Sequence, residues 1–108
     1  MGKHYLLNLY GCPFELLDNE QLIIEMLTTA AHLCKATILN TVSHKFQPQG
    51  VTSILLLAES HISIHTCPEC GTAYADVYTC SSVDPVVGCL YIVEKMGATH
   101  HDLKFVQR

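Results

Sequence analysis

Apolar and polar positions alternate from the first residues of the chain. Tyr5, Leu7 and Leu9 face one way and Leu6, Asn8 and Tyr10 the other, which predicts a strand over 4–12, closed by Gly11 and Pro13. The period then changes. Leu22, Ile23, Met26, Leu27, Ala30, Ala31 and Cys34 recur at helical spacing, so a helix is expected from near Asp18, with Asp18 and Gln21 as a capping box. Period two returns over 37–46, placing Ile38, Asn40, Val42, His44 and Phe46 on one face. After the turn Gln47-Pro48-Gln49-Gly50, the nearly unbroken apolar run 51–58 predicts a strand buried on both faces, continued in extended form over 61–66.

Cys67-Pro68-Glu69-Cys70-Gly71 turns the chain into a further strand over 73–80, with Tyr74, Asp76, Tyr78 and Cys80 on one face. Asp84 and Pro85 open a second helix carrying Val86, Val87, Leu90, Tyr91 and Met96, and Gly97 closes it. Residues 103–106 complete the chain as a short edge strand. The order β-α-β-β-β-α-β predicts an α/β (α+β) two-layer sandwich: a mainly antiparallel sheet with two helices on one face. Residues 1–108 form a single domain on this reading.

Composition sharpens the picture. Hydrophobic residues make up 49% of the 108 and charged residues only 15%, which is apolar for so small a domain and favours a partner subunit. The net charge of −4, with six Lys and Arg spread thinly, excludes a nucleic-acid backbone binder. No apolar run approaches a membrane span, and the N-terminus lacks the pattern of a signal peptide, so a cytoplasmic setting is expected. There the six cysteines serve as thiols, ligands or catalysts rather than as a disulfide frame.

Candidate chemistry concentrates in Glu59-Ser60-His61-Ile62-Ser63-Ile64-His65-Thr66-Cys67-Pro68-Glu69-Cys70, at the end of the most apolar strand. Polar groups there are costly unless paired, which suggests a purpose. Together with Asp76-Val77-Tyr78-Thr79-Cys80, this run resembles the small prokaryotic S-adenosylmethionine decarboxylase proenzymes. The likeness is dense from Gln49 to Cys80, and the whole chain has the family's length and element order.

That resemblance implies a chain that cuts itself. Removing CO2 from an α-amino acid requires an electron sink, and none of the five lysines stands in a context that would hold pyridoxal phosphate. A pyruvoyl group made from Ser60 supplies the sink instead. Ser60 Oγ attacks the Glu59 carbonyl, the resulting ester eliminates to dehydroalanine, and hydrolysis leaves pyruvoyl with loss of ammonia. The chain is thereby divided into 1–59 and 60–108.

By resemblance, Glu59 becomes the new C-terminus and His65 assists collapse of the ester. Thr52, eight residues before Ser60, supports the oxyoxazolidine stage. Cys80 returns a proton to the substrate carbon, a role suited to a thiol as proton donor. Phe46 stacks on the substrate adenine and Glu69 holds the ribose hydroxyls. Two cleaved protomers pair, with active sites near their interface.

The chain departs from the family at Cys67, where an aromatic residue usually forms the second wall of the adenine site. Base–aromatic stacking contributes roughly 1–3 kcal/mol. Relatives that have shifted to arginine or ornithine keep the pyruvoyl chemistry, so a free basic amino acid is the alternative substrate. A reading of another class is a non-catalytic zinc module, with Cys67 and Cys70 as a knuckle. Against it, His61 and His65 stand about 13 Å apart on an extended strand, and no second Cys-x-x-Cys follows.

Overall fold

The computed structural model describes residues 2–108. Strand β1 spans Lys3–Tyr10, and a short helix α1 (Phe14–Leu17) leads into α2 (Glu20–Leu33). Strands β2 (Ile38–Lys45), β3 (Val51–Leu57) and β4 (Ser60–Cys67) follow, then a 3-10 turn at Pro68–Cys70. Strand β5 (Thr72–Thr79), helix α3 (Val86–Lys95) and strand β6 (His100–Gln107) complete the fold. Among the described residues six strands form one sheet in the order β2-β3-β4-β5-β1-β6. Every neighbouring pair is antiparallel, so the expected sandwich is present and its sheet is wholly rather than mainly antiparallel.

The helices lie on one face. Helix α2 packs on β2 and β3, α3 packs on β1, and the two helices pack on each other. They approach closely where Gly88 meets Ala30 and Cys34: a Cβ on Gly88 would lie 2.8 Å from the Cys34 sulfur. The core between the layers holds Leu7, Leu9, Ile23, Met26, Leu27, Leu55, Ile62, Ile64 and Ile92, all essentially without exposure. The stripe expected on α2 is therefore its buried face.

Several expectations are corrected. The run 51–66 is not one extended stretch: the chain reverses at Ala58-Glu59, and β3 and β4 form a tight hairpin. That adds a strand to the expected order. Strand β3 is buried on one face only, because helices cover a single side of the sheet; Ile54 and Leu56 on the other side are 39% and 51% exposed. Asp18 does not cap α2. Asn19 does, its side chain accepting from the Leu22 N–H, while Asp18 accepts from Gly50 and pairs with Lys45 at 3.0 Å. The register between β2 and β3 shifts between Ile38 and Asn40, and Ile38 packs against the core rather than sharing a face with Val42 and His44. Strand β6 is longer than expected and pairs with β1 along its length. Helix α3 starts one residue later than expected: Pro85 rather than Asp84 is its N-cap, although Asp84 accepts from the Val86 N–H, and Met96 is its C-cap, with Gly97 just beyond at φ 65°.

Candidate active site

The open face of the sheet carries the side chains that alternate with the core. His4, Leu6 and Asn8 on β1, Thr52, Ile54 and Leu56 on β3, His61, Ser63 and His65 on β4, and Tyr74, Asp76 and Tyr78 on β5 all stand there. Thr52 and His65, both predicted to take part, thus share one face with the uncovered apolar surface, whereas Ser60 alternates with them and falls on the helix-facing side of β4.

At one end of the hairpin lies the Glu59-Ser60 bond. Glu59 has φ 63°, the left-handed region, where a side chain costs about 1 kcal/mol. The turn is tied down by the Ala58 N–H, which donates to the Thr37 carbonyl at 2.9 Å. The antiparallel register of β4 on β5, with His61 opposite Tyr78, brings Cys80 beside this turn. The Cys80 thiol lies 3.6 Å from the Glu59 carbonyl oxygen and 3.4 Å from the Tyr78 hydroxyl, both within donating distance. Glu59, Ser60, Thr79, Cys80 and Lys35 border one depression of about 200 Å³. Ser60, Glu59 and Cys80 are therefore brought together.

The other predicted residues are not. Thr52 and His65 are cross-strand partners, joined by a hydrogen bond of 3.0 Å between Oγ1 and Nδ1. His65 stands five residues along β4 from Ser60, a separation of about 16 Å on an extended strand. Phe46, Cys67 and Glu69 lie at that same far end. Phe46 is next to Gly50, beside the Thr66 carbonyl, and packs edge-on against His44. Glu69 is held below the ordinary carboxylate range by its own backbone N–H and by Gln49. The Cys67 thiol is pushed up to about 11, first by its hydrogen bond with Cys70, then by burial and by Glu69.

Sequence reasoning missed the centre of the face. Asp76 Oδ2 accepts from His4 Nε2 at 2.7 Å and from His61 Nε2 at 2.8 Å, and Oδ1 accepts from Ser63 Oγ. Burial pushes this carboxyl up, but the hydrogen bonds from Ser63, His61 and His4 outweigh it and hold it below the usual range. The two imidazoles flank Tyr78, with ring centres 5.6 and 6.0 Å away. The hydrogen bond to Cys80 raises the Tyr78 phenol. A signal was present: an acid amid the inward or outward alternation of Tyr74, Asp76 and Tyr78 demands partners, but its partners lie on two other strands.

His4, His61 and Asp76 also gather ligand atoms within 4.8 Å of one another, the arrangement a metal would use. Their contacts are hydrogen-bond lengths, and the group is satisfied by its own protons. Among the described residues no third ligand joins Cys67 and Cys70 in such a group, which leaves the zinc knuckle with two donors where a structural site takes four.

Known proteins resemble this chain in sequence and fold along its whole length. The family described as S-adenosylmethionine decarboxylase matches residues 3–108. An S-adenosylmethionine decarboxylase proenzyme of Prochlorococcus marinus (strain MIT 9313) is 47% identical, over all of this chain and 87% of its own length. One of Caldicellulosiruptor saccharolyticus is 41% identical, again over the whole chain and 88% of the relative. The crystal structure of the adenosylmethionine decarboxylase from Aquifex aeolicus superposes with a TM-score of 0.91 at 36% identity, covering 100% of this chain and 90% of that one. A Trypanosoma brucei AdoMetDC monomer, at 15% identity and TM-score 0.64, shares the fold over 94% of this chain and 44% of its own. Likeness over the full chain defines the class, a small carboxy-lyase built on one two-layer sandwich. The chain belongs to the S-adenosylmethionine decarboxylase family.

Proposed function

We propose that this chain decarboxylates S-adenosylmethionine with a pyruvoyl group that it makes from Ser60, by cutting itself between Glu59 and Ser60. The observation that carries the reading is the Cys80 thiol held 3.6 Å from the Glu59 carbonyl, at a strained turn that opens on a pocket. The residues fit such a group. Ser60 is half-buried at the mouth of the pocket, and cleavage relieves the left-handed backbone of Glu59 while the strand ladders hold both chains in place. Once formed, the ketone supplies the electron sink for loss of CO2. Cys80 stands where it would hand a proton to the substrate carbon, and Tyr78 orients its thiol.

The site is divided, and that supports a homodimer. Glu59, Ser60 and Cys80 occupy one end of the β3–β4 hairpin, whereas Thr52, His65, Phe46, Cys67 and Glu69 occupy the other. A gap of about 16 Å is too wide for His65 to serve Ser60 in its own chain. A second copy laid antiparallel on the open face would bring its far-end residues to the first copy's cleavage site. The same pairing would cover Leu6, Val42, Ile54, Leu56 and Tyr74, each between 39% and 59% exposed in the single chain. An isologous contact of this kind makes two equal composite sites.

Phe46 and Glu69 then form the adenosyl end of each site, with Cys67 in place of a second aromatic wall. The names of the full-length relatives favour S-adenosylmethionine over arginine or ornithine. No helix among the described residues is long and apolar enough to cross a membrane. A cytoplasmic setting belongs to the same proposal, since it keeps the Cys80 thiol reduced. The test is to offer purified protein carboxyl-labelled S-adenosylmethionine, arginine and ornithine separately. Labelled CO2 from S-adenosylmethionine alone is expected, and release from a free amino acid alone would refute the substrate assignment.

A further inference from the structure

Self-cleavage requires the Ser60 hydroxyl to face the Glu59 carbonyl carbon, and among the described residues Ser60 has no side-chain hydrogen bond that would fix it there. One group beside it has no assigned role. Thr79 is 1% exposed, and its hydroxyl has no hydrogen-bond partner among the described residues. A buried orphan of this kind is rare, because a polar group taken from water is destabilising until it is paired. Thr72 carries an unpartnered hydroxyl too, but it is half-buried at the opposite end of β5.

Position gives the Thr79 orphan a meaning. It borders the same depression of about 200 Å³ as Glu59, Ser60 and Cys80. The ladder between β4 and β5 sets Ile62 opposite Val77 and His61 opposite Tyr78. The ladder ends at that pair; one residue further along each strand lie Ser60 and Thr79, which continuation of the register would set opposite each other on the helix-facing side shared with the buried Ile62 and Val77. Side chains directly opposed on an antiparallel pair have Cβ atoms about 4.5–5.5 Å apart, so a rotation about the Ser60 χ1 brings the two hydroxyls into hydrogen-bonding reach. A β-branched threonine is stiff at its own χ1, which keeps its oxygen in place.

We infer that Thr79 is a positioning residue for self-cleavage, its hydroxyl accepting the hydrogen bond that turns Ser60 Oγ toward the Glu59 carbonyl carbon. The inference rests on the self-cleavage reading above. In the step itself, Ser60 Oγ bonds to the Glu59 carbonyl carbon and the Glu59–Ser60 C–N bond breaks. The Oγ proton ends on the Ser60 nitrogen, which becomes the free amine of the ester. Thr79 gains and loses nothing in that balance. Its contribution is geometric, and misdirected nucleophiles react slowly.

Thr79→Val tests this, since it keeps the shape and removes only the hydroxyl. Cleavage is followed by intact mass after synthesis of the full chain, and stability is read as the melting temperature in an uncleavable Ser60→Ala background. The expected result is cleavage slowed roughly tenfold or more, with an unchanged or raised melting temperature, and recovery of cleavage in Thr79→Ser. If valine prevents folding, Thr79→Ala compared with Thr79→Ser asks the same question. Cleavage at the parent rate in the valine or alanine variant would overturn the inference. So would slowed cleavage with a lowered melting temperature and no recovery by serine, which is the signature of a packing role. A parent chain that never cleaves refutes the self-cleavage reading itself, a result distinct from either.

Discussion

Thr52 Oγ1 and His65 Nδ1 stand 3.0 Å apart across the β3–β4 hairpin, at the end remote from the Glu59-Ser60 bond. The hydrogen bond fixes the imidazole on the open face, where no atom of its own cleavage site can be reached. On the proposed reading, a pair so placed serves the cleavage site of a second copy.

The division predicts complementation between two inactive variants. Ser60→Ala cannot cleave, and His65→Ala should remain uncut when expressed alone. Co-expressed, the Ser60→Ala chain supplies His65 to its partner, and the His65→Ala chain should be cut after Glu59. Mass spectrometry of the mixture distinguishes the chains. A His65→Ala chain that stays whole in the mixture would show that the histidine acts only within its own chain.

Asp76 ties three strands together through His4, His61 and Ser63. Asp76→Asn removes the charge that these donors address, and a loss of about 2 kcal/mol is expected. The pH dependence has a definite sign. Because the folded carboxyl titrates below its unfolded value of 3.8, its contribution is complete above that pH and is lost as pH falls through the folded value. The gap in melting temperature between parent and variant should be full at neutral pH and shrink below about pH 4. A gap that persists unchanged into acid would contradict the role given to the ionised carboxylate.

Cys67 and Cys70 flank a 3-10 turn, and the Cys67 thiol is raised to about 11, with the Cys70 contact as the leading cause. Thiolates, not thiols, are alkylated. Cys67 should therefore label slowly at neutral pH, and its rate should climb only toward strongly alkaline conditions. Cys70→Ala should move that rise to lower pH, toward the ordinary cysteine value of 9.0. Peptide-resolved iodoacetamide labelling measures both, and rapid neutral labelling of Cys67 in the parent chain would count against the coupling.

The architecture was legible where periodicity is local. The α2 stripe from Leu22 to Cys34 and the alternation of Tyr74, Asp76 and Tyr78 both survive in the structure, whereas β5 ends at Thr79 and leaves Cys80 just outside it. The apolar run 51–58 misled because its residues look alike whichever layer covers them; Leu55 faces the helices, whereas Leu56 faces the open side. The reversal at Ala58-Glu59 carried no glycine or proline to announce it, since Glu59 itself takes the left-handed conformation. Asn19 displaced Asp18 as the cap because Asp18 is engaged by Gly50 and Lys45, a long-range contact that no local pattern encodes. The candidate site was assigned residue by residue through the resemblance, and of those residues the structure gathers Glu59, Ser60 and Cys80. The distance from Ser60 to His65 follows from five residues of one strand, whereas the approach of Cys80 to Glu59 depends on the register of β4 on β5, which appears only once the sheet is assembled.

The most direct test of the central claim is the intact mass of freshly purified protein under denaturing conditions. Two chains are expected, 1–59 ending at Glu59 and 60–108 beginning with pyruvoyl in place of Ser60. A single full-length chain, still whole after prolonged incubation, would contradict it.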